Sequence, residues 1–109
     1  MSAAVQYAAA ARAWAEAIRK DSTHANELFD HLRALGRRLR QTPTGRNSLI
    51  SFLEDGDPAI RLWAAFDVLS FAEDKAIPVL EALRVSPGLE AVSAKWTLRQ
   101  FLKGKLEID

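Results

Sequence analysis

The sequence has no cysteine among its 109 residues. A chain without cysteine has no disulfide framework, no thiolate nucleophile and no cysteine-based metal site, and we expect a cytoplasmic protein. No apolar run approaches the roughly 18 residues that a membrane-spanning helix needs, so no membrane association is expected. The alanine-rich start lacks a basic n-region and carries Arg12 within its apolar stretch, which argues against a secretory signal.

The chain also lacks an excess of charge of either sign. Fifteen basic residues stand against 14 acidic ones, a net charge of +1, so composition gives no global electrostatic reason to bind nucleic acid or an anionic membrane. Hydrophobic residues at 49% and charged residues at 27% are typical of a soluble globular chain. The length predicts a single domain over residues 1–109 with one core.

Motifs of catalysis and phosphate binding are missing too. There is no G-x-S-x-G, no glycine-rich phosphate loop and no H-E-x-x-H. His24 and His31 lie on one helical face with Glu27 between them, which outlines a two-histidine, one-carboxylate metal site. Both histidines fall outside the apolar seam of their helix, however, and we interpret them as solvated. We therefore expect no enzyme activity, no cofactor and no bound metal.

The sequence does contain apolar residues at helical spacing, in six consecutive segments. No stretch alternates with a period of two, so strands are not expected. The pattern predicts an all-α fold. The predicted helices cover residues 3–20, from the break at 21–23 to about 40, 46–54, 57–72, 75–85, and from the turn at 86–88 to about 103.

The fourth segment, residues 57–72, organises the others. Asp57 is a good N-cap residue, and Pro58 suits the first helical position because its missing N–H is not needed there. Apolar side chains then point almost all the way round the helix, whereas a surface helix has a single apolar stripe. We therefore predict that this helix is wedged among the other five.

The last two helices repeat the pattern of the two before them. A shift of 29 residues places Pro58 on Pro87 and Leu69 on Leu98. A fixed period of this size marks stacked helical hairpins, each unable to bury its apolar face alone. A non-repetitive six-helix bundle is the alternative.

The stretch LISFLEDGDPAIRLWAAFDVL, residues 49–69, resembles a HEAT repeat. The resemblance implies a HEAT-like α-α superhelix of three stacked hairpins, with structural roles for Asp55 and Arg61 in contacts between turns and adjacent repeats. Asp57 is structural as a helix cap. Glu90 occupies the arginine position of the third hairpin, a departure from the pattern. The whole chain is also similar to a small bacterial family of HEAT-like single-domain proteins of unknown function.

One partly polar strip interrupts the apolar surface of the fourth helix. The repeat shift pairs it with a strip on the sixth helix, and second helices of HEAT hairpins line a concave face, so we predict a partner-binding groove. Aromatic and arginine anchors are what protein interfaces favour. In the alternative, the tryptophans fill core, as Trp14 is expected to do. The predicted groove residues are Trp63, Asp67, Ser70, Trp96, Arg99 and Lys103.

A basic patch offers a different function, because several guanidinium groups in one place can neutralise phosphates. The predicted patch consists of Arg33, Arg37, Arg38, Arg40 and Arg46. The sequence thus favours a non-catalytic protein–protein interaction module and, by analogy, an immunity-type protein that binds and neutralises a bacterial toxin. The alternative is a nucleic-acid-binding accessory protein that uses the patch. Neither the partner nor the oligomeric state follows from the sequence.

Overall fold

The computed structural model describes residues 2–20 and 22–108. In these ranges the chain folds into helices and contains no strand, which confirms the all-α prediction. Asp21, at the predicted break after the first helix, lies outside the described residues. The helices are α1 (Ala3–Lys20), α2 (Ser22–Arg40), α3 (Pro43–Phe52), α4 (Pro58–Val68), α5 (Glu73–Arg84) and α6 (Glu90–Leu102).

Consecutive helices pack against each other, and the pairs α1–α2, α3–α4 and α5–α6 build a stack of helical hairpins. Helix α4 contacts every other helix, so its predicted central position is confirmed. Its buried side chains point in all directions, as expected for a helix enclosed by neighbours. The helix ends at Val68, four residues before the predicted end, and Ser70 beyond it is exposed.

Two helix starts differ from the prediction. Helix α3 begins at Pro43, because the Thr42 hydroxyl accepts the Gly45 N–H at 3.0 Å and caps the first turn. A Cβ on Gly45 would collide with the Leu39 backbone carbonyl, so only glycine fits this turn. Helix α5 begins at Glu73, two residues before the predicted start. Pro78 therefore lies inside the helix, whereas the prediction placed it in the first turn.

The chain reverses direction after α6. Gly104 has φ of 70°, its N–H bonds to the Phe101 carbonyl at 3.0 Å, and the Lys105 N–H bonds to the Gln100 carbonyl at 2.9 Å. This pair of bonds is a Schellman motif, and glycine suits its left-handed residue. The motif turns residues 105–108, here called the tail, back onto the helices, where Leu106 and Ile108 pack against the core.

Candidate functional site

A half-open cavity of about 500 Å³ lies where α1, α2, α4, α6 and the tail meet. Its volume falls within the range of ordinary ligand sites, and its lining is mostly apolar. Five aromatic side chains contribute to the wall, and we call this region the aromatic groove. They are Trp14, Phe29, Trp63, Phe66 and Trp96.

Trp63 forms the buried part of the aromatic groove, with only 5% of its surface exposed. Its ring meets those of Trp14, Phe29 and Phe66 edge-on, at centroid distances of 5.5, 5.3 and 6.2 Å. Such arrangements are the preferred geometry of aromatic pairs. The indole Nε1 of Trp63 is buried and has no hydrogen-bond acceptor among the described residues. A buried donor without an acceptor costs free energy, so the hydrogen-bonding capacity of the buried part of the aromatic groove is not fully used.

The outer edge of the aromatic groove is apolar and open to solvent. On α6, Val92 is 72% exposed and Trp96 is 55% exposed, and both line the cavity. Phe29 on α2 is exposed as well and lines the same cavity. Single exposed apolar residues are ordinary, but a contiguous apolar surface next to a cavity is typical of a binding site.

Charged groups at the edge of the aromatic groove are mostly positive. The Arg33 guanidinium lies 5.9 Å from the centre of the Phe29 ring and 5.6 Å from that of Phe66, within cation–π range. Lys105 and Glu107 reach the cavity from the tail. Residues 91–106 contain four basic residues and no acidic one.

One turn further along α4, Asp67 lies in a buried polar cluster with Tyr7 of α1 and Arg40 of α2. The Tyr7 hydroxyl donates to Oδ2 of Asp67 at 2.6 Å. Arg40 Nε lies 3.1 Å from Oδ1, an ion pair without the geometry of a linear hydrogen bond. Gly36 of α2 makes room for the carboxylate, since a Cβ there would lie 2.5 Å from its oxygen.

Burial dominates the titration of this polar cluster. It raises the pKa of Asp67 to about 6, and the Tyr7 hydrogen bond and the charges of Arg40 and Arg33 only partly oppose the rise. Burial and the adjacent carboxylate raise the pKa of Tyr7 well above its usual value. Arg40 also donates to the backbone carbonyl of Ile108 at 3.1 Å. The polar cluster therefore joins α1, α2, α4 and the tail.

The structure brings together only part of the predicted groove. Trp63 and Trp96 share the aromatic groove, but Asp67 does not line it, because its helical face is covered by α1 and α2. The Ser70 hydroxyl donates to the Asp67 carbonyl at 2.8 Å and lies outside the cavity. Arg99 and Lys103 are exposed near the end of α6 and do not line the cavity either. Partner binding by this set stays a prediction.

The predicted basic patch is not one solvated surface. Arg40 belongs to the polar cluster, Arg33 packs over two phenylalanine rings, and Arg46 donates to the backbone carbonyl of Arg40 at 2.7 Å. Arg37 and Arg38 are exposed. Spacing along α2 and α3 sets the direction in which each arginine leaves its own helix, but neighbouring helices decide which of them reach solvent.

The three predicted structural residues lie at the α3–α4 turn. Asp57 caps α4 by accepting the Ala59 N–H at 2.9 Å, and Asp55 accepts the Asp57 N–H at 2.9 Å. The Arg61 guanidinium donates to the Asp55 backbone carbonyl at 2.7 Å. These three hydrogen bonds all lie within the α3–α4 hairpin and stabilise its turn.

The histidines of α2 are exposed, and His24 Nδ1 lies 3.5 Å from a Glu27 carboxylate oxygen. In the described part of the chain, no group of three or more histidine or acidic residues is placed to hold a metal ion. Over the same residues, no helix combines the length and apolar character required to cross a bilayer.

Several important contacts have only weak signals in the sequence. Tyr7 lies on the apolar face of α1, where a buried hydroxyl requires a partner, but nothing identifies Asp67 as that partner. Glu90 is buried and its carboxylate lies 3.7 Å from the Arg19 guanidinium of α1, although the repeat pattern has arginine at this position. The return of Leu106 to the cavity has no visible signal beyond Gly104.

Comparisons with protein-family models, with curated proteins and with solved structures found no match to this chain.

Proposed function

We propose that this chain is a non-catalytic protein-binding module and that its partner docks on the aromatic groove. The observation that carries the proposal is Trp96, which stays more than half exposed beside a cavity of about 500 Å³ that has Trp63 at its base. Tryptophan and arginine dominate the energetics of protein interfaces when they fill or border desolvated pockets. Arg33 and Trp96 occupy such positions at the edge of the cavity.

A nucleic-acid-binding accessory role is the second candidate. An exposed tryptophan among basic residues, as found on α6, is one way in which single strands are bound by stacking. However, Leu62, Val92 and Leu106 also line the aromatic groove, and aliphatic side chains offer no ring on which a base can stack. Arg33, Arg40 and Arg46 of the predicted patch are engaged in contacts within the protein. These observations favour a protein partner.

A finer form of the proposal is an immunity-type protein that neutralises a bacterial toxin in the cytoplasm. Such a role needs one tight recognition surface and no chemistry of its own, and it rests on analogy. The absence of cysteine supports the location. The hairpin pairing of the helices supports the HEAT-like interpretation of residues 49–69.

Site-specific photo-crosslinking in the cells that naturally express the chain tests the proposal. A photoreactive phenylalanine analogue replaces Trp96 in one variant and Val85, which is exposed outside the aromatic groove, in the control. We expect one protein to be captured at position 96 and not at position 85. Capture of nucleic acid, or equal capture at both positions, would contradict the proposal.

A further inference from the structure

We infer that the aromatic groove takes an acidic, amphipathic helical segment of its protein partner, whose apolar side chains enter the cavity while its carboxylates face the basic residues of α6 and Lys105. The inference rests on the proposed function and adds the chemistry of the partner. Helices that place an apolar face in a hydrophobic groove are a recurrent form of peptide recognition.

The shape of the exposed surface favours a helix. Leu89 at the N-cap of α6 and Val92 and Trp96 within the helix are exposed at positions i, i+3 and i+7, so they form one apolar stripe about 10 Å long. The stripe continues from the cavity along the outside of α6, where none of the described helices covers it. An apolar face with the same spacing on a partner helix would lie along it.

The charge of this surface specifies the flanks of the partner. Lys95, Arg99, Lys103 and Lys105 are exposed, and the stretch 91–106 contains no acidic residue. Because the whole chain is nearly neutral at +1, this excess is a local feature of residues 91–106, and Glu107 of the tail is the acidic residue that lines the cavity next to it. Opposite charge on the partner would speed association and select against basic sequences.

The base of the aromatic groove offers a hydrogen bond. Trp63 Nε1 is a buried donor without an acceptor among the described residues, and Trp63 lines the cavity. A carbonyl or carboxylate of the bound segment that reaches this donor would remove the cost of leaving it unpaired. Apolar contact alone would not give this effect.

Three synthetic peptides of about 16 residues test the inference on the full, ¹⁵N-labelled chain. The first is an amphipathic helix with leucine and phenylalanine on one face and glutamate on its flanks. The second replaces each glutamate by lysine, and the third keeps glutamate but replaces the apolar residues by alanine. The three tryptophans give three indole N–H signals, which Trp→Phe variants assign.

We expect the first peptide to shift the signals of Trp63 and Trp96 and the other two to bind at least about tenfold more weakly. Added salt should weaken binding of the first peptide. The double variant Lys95→Glu/Arg99→Glu should lose the preference for the acidic peptide. Lys75→Glu on α5, which changes an exposed lysine outside the cavity, is the matched control and should keep the preference.

The outcomes separate the inference from the proposed function. Equal shifts with the acidic and lysine peptides would overturn the acidic partner while leaving the groove as a protein-binding site. No shift with any peptide would overturn the inference, and the crosslinking at position 96 would still decide the proposed function. If only a single-stranded oligothymidylate shifts the Trp96 signal, both fall and the nucleic-acid alternative replaces them.

Discussion

Two successive turns on one face of α4 meet the same two helices and have opposite characters. In the first, Trp63 packs against Trp14 of α1 and Phe29 of α2. In the second, Asp67 is bound by Tyr7 of α1 and Arg40 of α2. The aromatic layer around Trp63 opens to a cavity, and its buried indole N–H has no acceptor among the described residues. The polar layer around Asp67 is closed and joins three helices. We propose that the aromatic layer serves recognition, and the contacts of Asp67 with α1 and α2 fix the packing of these helices on α4.

Loss of the carboxylate should have the largest effect on stability. Asp67→Ala removes the acceptor of the Tyr7 hydroxyl and the counter-charge of Arg40, both largely buried, and we expect a loss of about 3 kcal/mol in the free energy of unfolding. Urea denaturation measures the loss. The exposed Ser51→Ala on α3 is the control and should cost less than about 0.5 kcal/mol. If the Asp67→Ala protein is as stable as the control, the hydrogen bond and ion pair of Asp67 do not contribute to stability.

The polar layer should also make stability depend on pH. The folded protein holds the pKa of Asp67 at about 6, above the ordinary value of 3.8, so the folded state binds the proton more tightly than the unfolded state. This contribution is fully present below about pH 4 and is lost as the pH rises through about 6, by an amount on the order of 3 kcal/mol.

The measurement is the difference in unfolding free energy between the wild type and Asp67→Asn, followed from about pH 4 to about pH 7. The wild type should lose stability relative to the variant across this window, because only the wild type has a carboxyl group to ionise at this position. Parallel pH profiles would show that Asp67 titrates normally.

Removal of one donor from each layer compares the layers directly. Tyr7→Phe deletes a hydroxyl that donates to a buried carboxylate and should cost about 1.5–3 kcal/mol. Trp63→Phe deletes an indole N–H that has no acceptor among the described residues, so its cost should come only from the lost ring volume and stay below about 1.5 kcal/mol. Thermal unfolding of both variants shows which substitution costs more stability. A larger loss for Trp63→Phe than for Tyr7→Phe would mean that the Trp63 indole contributes more than the Tyr7 hydrogen bond.

The smallest effect on stability is expected at the edge of the aromatic groove. Trp96→Ala changes a side chain that is more than half exposed and should alter the unfolding free energy by no more than about 0.5 kcal/mol. The same variant should no longer bind the partner that crosslinking at position 96 identifies. A large loss of stability would instead make Trp96 part of the core.

Much of the helical framework was predictable from residue spacing. The all-round apolar pattern of residues 57–72 predicted a central helix, and the structure places α4 in contact with all the others. Predictions of helix starts from individual capping and turn residues were less accurate. The capping hydroxyl of Thr42 starts α3 earlier than the turn residues predicted, and α5 accommodates Pro78 in its interior.

The sequence by itself determined that the described residues form six helices and that α4 needs apolar surroundings, because spacing along the chain sets the direction in which each side chain leaves its own helix. Only the tertiary structure decided what each side chain meets. Trp63 and Asp67 leave α4 in nearly the same direction, but the tail and α6 border a cavity beside the first, while Tyr7 and Arg40 close over the second. Those contacts join residues up to 60 positions apart, and helical periodicity carries no information over such separations.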